Sequence, residues 1–251
     1  MRFKDKVVVI TGAAGGIGTE TAKRFASEGA KIVLVDLYKD TAEDTAKELE
    51  LKSEDYLVVE ADVSKEEDVE RYVKEAKERF GSIDVFFNNA GIEAKYESIM
   101  ETDSDAMSKV LDINLKGVYY GMKHVLKVMT EQESGSIINT ASVAGMIGFP
   151  NMGPYVASKH AVIGLTKTAA IEVAEKKVRV NAVCPAPVDT RMMEDIEESG
   201  GMDSEDFTAV IPIGRYAEAE EIAALVAFLA SDDASYITGS AYPIDGAMTA
   251  G

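Results

Sequence analysis

With 251 residues, 46% of them hydrophobic and 28% charged, the chain can bury a sizeable core, and its composition excludes disorder. Lys and Arg number 26 against 44 Asp and Glu, a formal charge of −18, so phosphate backbones and anionic lipid are repelled and neither nucleic acid nor membrane is expected as a partner. The lone Cys184 can form no internal disulfide, and neither a signal peptide nor an apolar run of about 18 residues is present, so a reducing, cytoplasmic location is expected.

The first β-branched run, KVVVIT (6–11), is followed by the glycine-rich TGAAGGIG and the helical pattern TETAKRFASEG. KIVLV (31–35) and YLVVE (56–60) are the next strands. VERYVKEAKERFG is a helix whose start carries Ser64 and Glu67 at capping-box spacing. IDVFFN (83–88), SIINTA (136–141), VRVNAV (178–183) and a last run near SAYPI (240–244) complete seven strands, with about six helices between them. Near-continuous apolar strands of this kind are buried on both faces. The expected fold is α/β: a single Rossmann-type doubly wound domain over 1–251, with a seven-stranded parallel sheet and helices on both faces. The stretch 185–215, rich in Pro, Gly and Met, reads as one long irregular loop and hence as a substrate lid.

Gly12, Gly16 and Gly18 stand where a strand turns into a helix. Glycine permits a tight turn and close approach of a ligand, and the helix N-terminus offers free amides and a positive dipole end to a pyrophosphate. A P-loop would need Lys then Ser or Thr after its last glycine, but Gly18 is followed by Thr19 and Glu20. The second strand ends at Asp36, where a carboxylate can accept the ribose hydroxyls of an adenosine and repel a 2′-phosphate. Neither Gly15 nor Leu37 supplies a cation for such a phosphate, and Lys39 is the only one nearby. NAD is therefore expected rather than NADP.

TGAAGGIG (11–18), Asp62-Val63, NNAG (88–91), Asn114 in DINLKG, Ser142 in NTASVAG, and Tyr155 with Lys159 in YVASKHA follow one another in an order that resembles the short-chain dehydrogenase/reductase family over nearly the whole chain. The resemblance implies a catalytic tetrad of Asn114, Ser142, Tyr155 and Lys159, with Asn114 supporting a water between Lys159 and solvent. It implies cofactor contacts from Gly12, Gly16, Ile17, Gly18, Asp36, Leu37, Asp62, Val63, Asn89, Ala90, Gly91, Tyr155, Lys159, Pro185, Val188 and Thr190, and substrate contacts from Ser142, Ala144, Tyr155 and Met192. It also implies a homotetramer, with helices around 103–132 and 152–175 in one interface and the last strand in another. Two positions depart from the family pattern. Ala186 and Ala247 stand where glycine is usual, and alanine in a left-handed conformation costs about 1 kcal/mol.

Hydride transfer at a carbinol requires a proton to move on or off its oxygen, and a free phenol with a pKa near 10 is a poor base at neutral pH. Residues four apart share a helix face, so the Lys159 ammonium can adjoin Tyr155; at an effective dielectric of 20 a charge pair about 4 Å apart gains about 4 kcal/mol, enough to lower the phenol by up to about three pKa units. Tyr119 and Lys123 repeat the spacing without a serine on a strand edge upstream, and read as an ordinary helix face. His124 and His160 lack metal-ligand spacing and no catalytic metal is expected. SVAGMIGFP (142–150) and Val188, Met192, Met193, Met202 and Phe207 favour an alcohol or ketone with a hydrophobic body; Glu93 reads as an exposed loop carboxylate, with a polar contact at the pocket mouth as the alternative. The expected activity is NAD-dependent interconversion of a secondary alcohol and a ketone. The alternatives are a 3-oxoacyl carrier-protein reductase, which the acidic charge and Asp36 disfavour, and a non-catalytic NAD-sensing regulator, which would have no need of the tetrad.

Overall fold

The computed structural model describes residues 1–200 and 204–251. The strands are β1 (Val7–Thr11), β2 (Lys31–Asp36), β3 (Tyr56–Glu60), β4 (Val85–Asn88), β5 (Gly135–Thr140), β6 (Val178–Pro185) and β7 (Ala241–Ile244). They form a seven-stranded sheet of order β3-β2-β1-β4-β5-β6-β7 with every pairing parallel. The order reverses between β1 and β4, which opens a crevice at the carboxyl ends of the strands.

Strand alternation sorts the core into two layers. Val7 and Val9 face one side with Tyr72 and Val73 of α3 (Glu66–Phe80), Met122 and Val125 of α5 (Val118–Gln132) and Val162 of α6 (Gly153–Val173). Val8 and Ile10 face the other with Phe25 of α1 (Gly16–Ser27), Ala42 of α2 (Lys39–Glu48) and Ile222 and Val226 of α9 (Ala219–Ala230). Burial of both faces explains why these strands read as continuous apolar runs.

Two local expectations are corrected. The capping box at Ser64 and Glu67 is absent: α3 begins at Glu66, and the Ser64 hydroxyl donates to the Asp62 carboxylate at 2.6 Å. Asp68 takes over the reach-back, accepting the Asp62 N–H at 3.0 Å. The supposed irregular loop at 185–215 contains two helices, α7 (Arg191–Gly200) and α8 (Ser204–Ala209). Pro185, Pro187 and Gly200 suggested broken structure, yet Met193 is buried in α7 while its acidic residues Glu194, Asp195 and Glu198 stay in water, an amphipathic pattern that a helix satisfies. Met202 lies outside the described residues.

Between β4 and α5 lies α4 (Ser104–Leu111), capped by Asp103, whose side chain accepts from the Asp105 and Ala106 N–H groups. A π-helical turn over Asp112–Gly117 joins α4 to α5. Such turns displace backbone from the α-helical ladder, and here the displaced turn carries Asn114. Among the described residues no helix is long and apolar enough to cross a membrane.

Candidate active site

The glycine turn forms a cradle that side chains would fill. Gly12 has φ +63°, a Cβ on Gly18 would stand 2.1 Å from the Gly12 carbonyl oxygen, and one on Gly16 would stand 2.7 Å from the Thr190 methyl. Thr19 is the first residue of α1 whose N–H finds a helical acceptor, the Gly15 carbonyl at 2.8 Å, so the amides of Gly16, Ile17 and Gly18 have no intrahelical partner. The donor set suits an anion such as a dinucleotide pyrophosphate. Asp36, at the end of β2, accepts from the Ala14 N–H at 2.9 Å and the Leu37 N–H at 2.8 Å. Its carboxylate thereby fixes both the turn and the start of an exposed pair, Leu37 and Tyr38.

Thr11, which the sequence reading passed over, ties β1 to β4. Its hydroxyl accepts from the N–H groups of Asn89 (2.9 Å) and Ala90 (3.1 Å), while Asn89 Nδ2 returns to the Thr11 carbonyl at 3.1 Å. The Thr140 hydroxyl donates to Asn89 Oδ1 at 3.1 Å, which carries the tie to β5. Val63 packs against Gly117, where a Cβ would meet its methyl at 2.9 Å. Asp62 is bound by Ser64 and Lys65. Val188 is buried after β6, and its carbonyl accepts from the Thr190 hydroxyl at 3.2 Å.

Ser142, Tyr155, Lys159 and Asn114 are brought together at the carboxyl edge of β5. The Ser142 hydroxyl accepts from the Ala144 N–H at 3.1 Å, which leaves its proton available to a ligand or to the Pro185 carbonyl 3.5 Å away. Lys159 is 4% exposed, donates to the Thr140 carbonyl at 2.8 Å, and holds its ammonium 5.4 Å from the centre of the Tyr155 ring. Gly91 crosses directly above: a Cβ there would stand 3.2 Å from Asn114 Oδ1 and 3.6 Å from Lys159 Nζ. Asn114 accepts from the Ile92 N–H at 2.8 Å and donates to the Ile92 carbonyl at 2.7 Å. Its side chain is thus a clamp on the loop after β4. Met192 is half-buried in the first turn of α7.

The electrostatics depart from the expectation of a lowered phenol. Burial pushes Tyr155 above its ordinary value, the Ser142 hydroxyl pulls it down, and the Glu93 carboxylate pushes it up again. Burial also brings Lys159 down to about 8, against a small upward pull from Cys184. The spacing of four places the lysine correctly, but its ammonium is itself desolvated and engaged by Thr140, so it does not dominate the phenol. The Cys184 thiol is raised by burial to about 11, despite the Ser142 amide and Lys159, and is a poor nucleophile.

Tyr119 and Lys123 are not a second site. Tyr119 is exposed, and Lys123 donates to Glu66 at 2.6 Å. His124 meets the same carboxylate at 2.9 Å, and the His160 ring meets the Val156 carbonyl. Among the described residues no group of three or more His, Cys, Asp or Glu side chains could hold a metal ion. A cavity of about 640 Å³ lies at the opposite edge of the sheet, lined by Arg2, Lys6, Arg179 and Tyr236 among others. Cavity size therefore does not mark the place where the chemically capable groups converge.

Residues 12–249 match a family model described as enoyl-(acyl carrier protein) reductase. Levodione reductase of Leifsonia aquatica is 46% identical, over 99% of this chain and 96% of its own length. A crystal structure of levodione reductase superposes with a TM-score of 0.96 at 45% identity, covering 99% of both chains. Cyclohexanol dehydrogenase of Acinetobacter sp. (strain SE19) is 39% identical over 99% of this chain and 96% of its own. NAD+-bound xylitol dehydrogenase superposes with a TM-score of 0.92 at 36% identity, covering 98% of this chain and all of the other.

Proposed function

The chain belongs to the short-chain dehydrogenase/reductase family, and on that premise we propose that it is an NAD-dependent oxidoreductase interconverting a secondary alcohol and a ketone. The observation that carries this reading is the convergence of a buried lysine, a phenol and a serine hydroxyl at the carboxyl edge of β5, beside an anion cradle built on the same sheet. The relatives named for levodione and cyclohexanol support the substrate class, and the NAD+-bound relative supports the cofactor.

When bound, the dinucleotide supplies or accepts a hydride at its nicotinamide ring. The chain's own residues do the rest. Gly16, Ile17 and Gly18 turn free amides toward the pyrophosphate, and Asp36 accepts the ribose hydroxyls while repelling a 2′-phosphate. Asp62 and Val63 border the adenine. Asn89, Ala90, Gly91, Pro185, Val188 and Thr190 line the path to the nicotinamide. Ser142 donates a hydrogen bond to the substrate oxygen and holds it within reach of Tyr155, whose phenol gives a proton in reduction and whose phenolate takes one in oxidation. Lys159 supplies positive charge beside that phenol, which favours the phenolate needed in oxidation. Ala144 and Met192 offer apolar contact to the body of the substrate. The region holding α7 and α8 closes over it as a lid, attached to a chain that acts as one unit from 1 to 251.

Exposed apolar residues on the helices expected at an interface, Met107, Tyr119 and Ile171, support a homotetramer. Light scattering in solution would test it. The activity itself is tested by following NADH and NADPH absorbance with cyclic, aromatic, steroid and acyl ketones, with Tyr155→Phe as control. Turnover with NADH that falls about 100-fold or more in Tyr155→Phe is expected. Binding of NADH without turnover would identify a sensor instead.

A further inference from the structure

The helix α7 starts against the glycine turn. A Cβ on Gly16 would stand 2.7 Å from the Thr190 methyl and 3.3 Å from the Thr190 Cβ, so Thr190 forms a wall directly beside the anion cradle. The same residue opens the helix, its carbonyl accepting from the Met193 N–H at 2.8 Å and the Glu194 N–H at 3.3 Å. The chain enters α7 from a short ladder beyond β6, where the Ala217 N–H donates to the Pro187 carbonyl at 3.0 Å and the Asp189 N–H to the Ala217 carbonyl at 2.9 Å. This ladder holds the start of α7 and leaves its second half to other contacts.

A side chain from the ladder makes one of those contacts. Tyr216, adjacent to Ala217, is half-buried, and its phenol donates to Glu197 Oε1 at 2.6 Å. The bond has the length of an O–H donor on an ionised carboxylate. Glu194, Asp195 and Glu198 of the same helix are exposed, whereas Glu197 is half-buried and engaged by the phenol. A ten-residue helix is a rod about 15 Å long. Held only at its start, such a rod can tilt about the ladder and lift Thr190 from Gly16; held near both ends, it cannot.

We infer that Tyr216 is a positioning residue for the dinucleotide: through Glu197 it holds α7 in place, keeps Thr190 against the glycine turn and so prolongs the time the cofactor stays bound. The inference rests on the dinucleotide reading of the cradle. Tyr216 touches neither the reacting atoms nor the proton path, so its effect belongs to cofactor release.

The test is stopped-flow displacement of NADH from the wild-type protein and from Tyr216→Phe, Glu197→Ala, Glu197→Gln and the double variant Tyr216→Phe/Glu197→Ala. Dissociation of NADH should be about tenfold faster in Tyr216→Phe and in Glu197→Ala, the scale of one hydrogen bond to a charged group. Glu197→Gln keeps an acceptor without the charge and should fall between. The double variant should be no faster than either single one, because both changes remove the same bond. Adenosine carries the ribose for Asp36 but no phosphate for the cradle, so its affinity, read by competition with NADH, should be unchanged. An unchanged dissociation rate in Tyr216→Phe, additive effects in the double variant, or a parallel loss of adenosine affinity overturns the inference. The two Glu197 variants carry the comparison alone should Tyr216→Phe fail to fold. Absence of NADH binding by the wild type would overturn the dinucleotide reading, and the inference with it.

Discussion

The ammonium of Lys159 lies 5.4 Å from the ring centre of Tyr155 and donates to the main-chain carbonyl of Thr140 at 2.8 Å. The lysine is therefore held by the end of a strand and, among the described residues, carries its charge in a buried place without a counter-ion.

This makes the lysine a cost to folding. Its fall from the ordinary value of 10.5 to about 8 corresponds to about 3 kcal/mol. The penalty is fully present below pH 8, where both folded and unfolded chains hold the proton. It is relieved between pH 8 and 10.5, where the folded lysine has released its proton and the unfolded one has not. Lys159→Met, close in shape but uncharged, should abolish most turnover and yet raise Tm at pH 7 by roughly 3–8 °C, after allowance for the lost bond to Thr140. Calorimetric scans at pH 7 and pH 9.5 would check this, since the gap between variant and wild type should narrow at the higher pH.

Asp36 should set cofactor choice by charge and by geometry together. The wild type should prefer NADH over NADPH by at least about 100-fold in kcat/KM, because placing like charges together costs several kcal/mol. Asp36→Ala combined with Leu37→Arg should reverse that order. Asp36→Ala alone should also weaken NADH binding by about tenfold, since the Ala14 and Leu37 N–H groups lose their acceptor. Fluorescence titration with both dinucleotides measures each effect.

Gly18 and Gly164 should respond oppositely to alanine. At Gly18 the added Cβ would meet the Gly12 carbonyl oxygen at 2.1 Å, so the turn must open and NADH binding should be lost. At the exposed Gly164 of α6 nothing lies within 4 Å, and alanine should stabilise the helix by about 0.5–1 kcal/mol. Thermal melts with and without NADH separate the two.

The two alanines that replace usual glycines are also inequivalent. Ala247 has φ +73°, whereas Ala186 is not among the residues with positive φ. Ala247→Gly should therefore stabilise by about 1 kcal/mol and raise Tm by roughly 2–4 °C, while Ala186→Gly should give no gain. Matched denaturation curves decide it.

The strands were legible because burial on both faces leaves runs such as VVVI and IVLV without polar interruption, and each observed strand falls within two residues of its run. Chain-local signals were less reliable at element ends. Ser64 and Glu67 have the spacing of a capping box, but Asp62 offered the Ser64 hydroxyl a nearer acceptor. The helix α7 was hidden by proline and glycine around a short amphipathic stretch whose buried face, at Met193, depends on what lies beneath it, and α8 is too short and too exposed to show a pattern at all. In the site, Ser142, Tyr155 and Lys159 were picked out by the family resemblance, since the tyrosine–lysine spacing occurs twice in the chain and could not choose between its copies. The carbonyl of Thr140 as the lysine's partner, the hydroxyl of Thr11 as the tie to Asn89, and the hold of Asn114 on Ile92 could not be read at all, because each depends on which strands become neighbours.

The segment from Ile92 to Glu97 is tied near its ends to the Asn114 carboxamide and the Asn151 carbonyl. Both ties are made by groups on elements that carry the site, the turn holding Asn114 and the approach to α6, and Ala94 between them is buried. Loosening either tie should therefore disturb the seating of Tyr155 and Lys159 along with the loop itself.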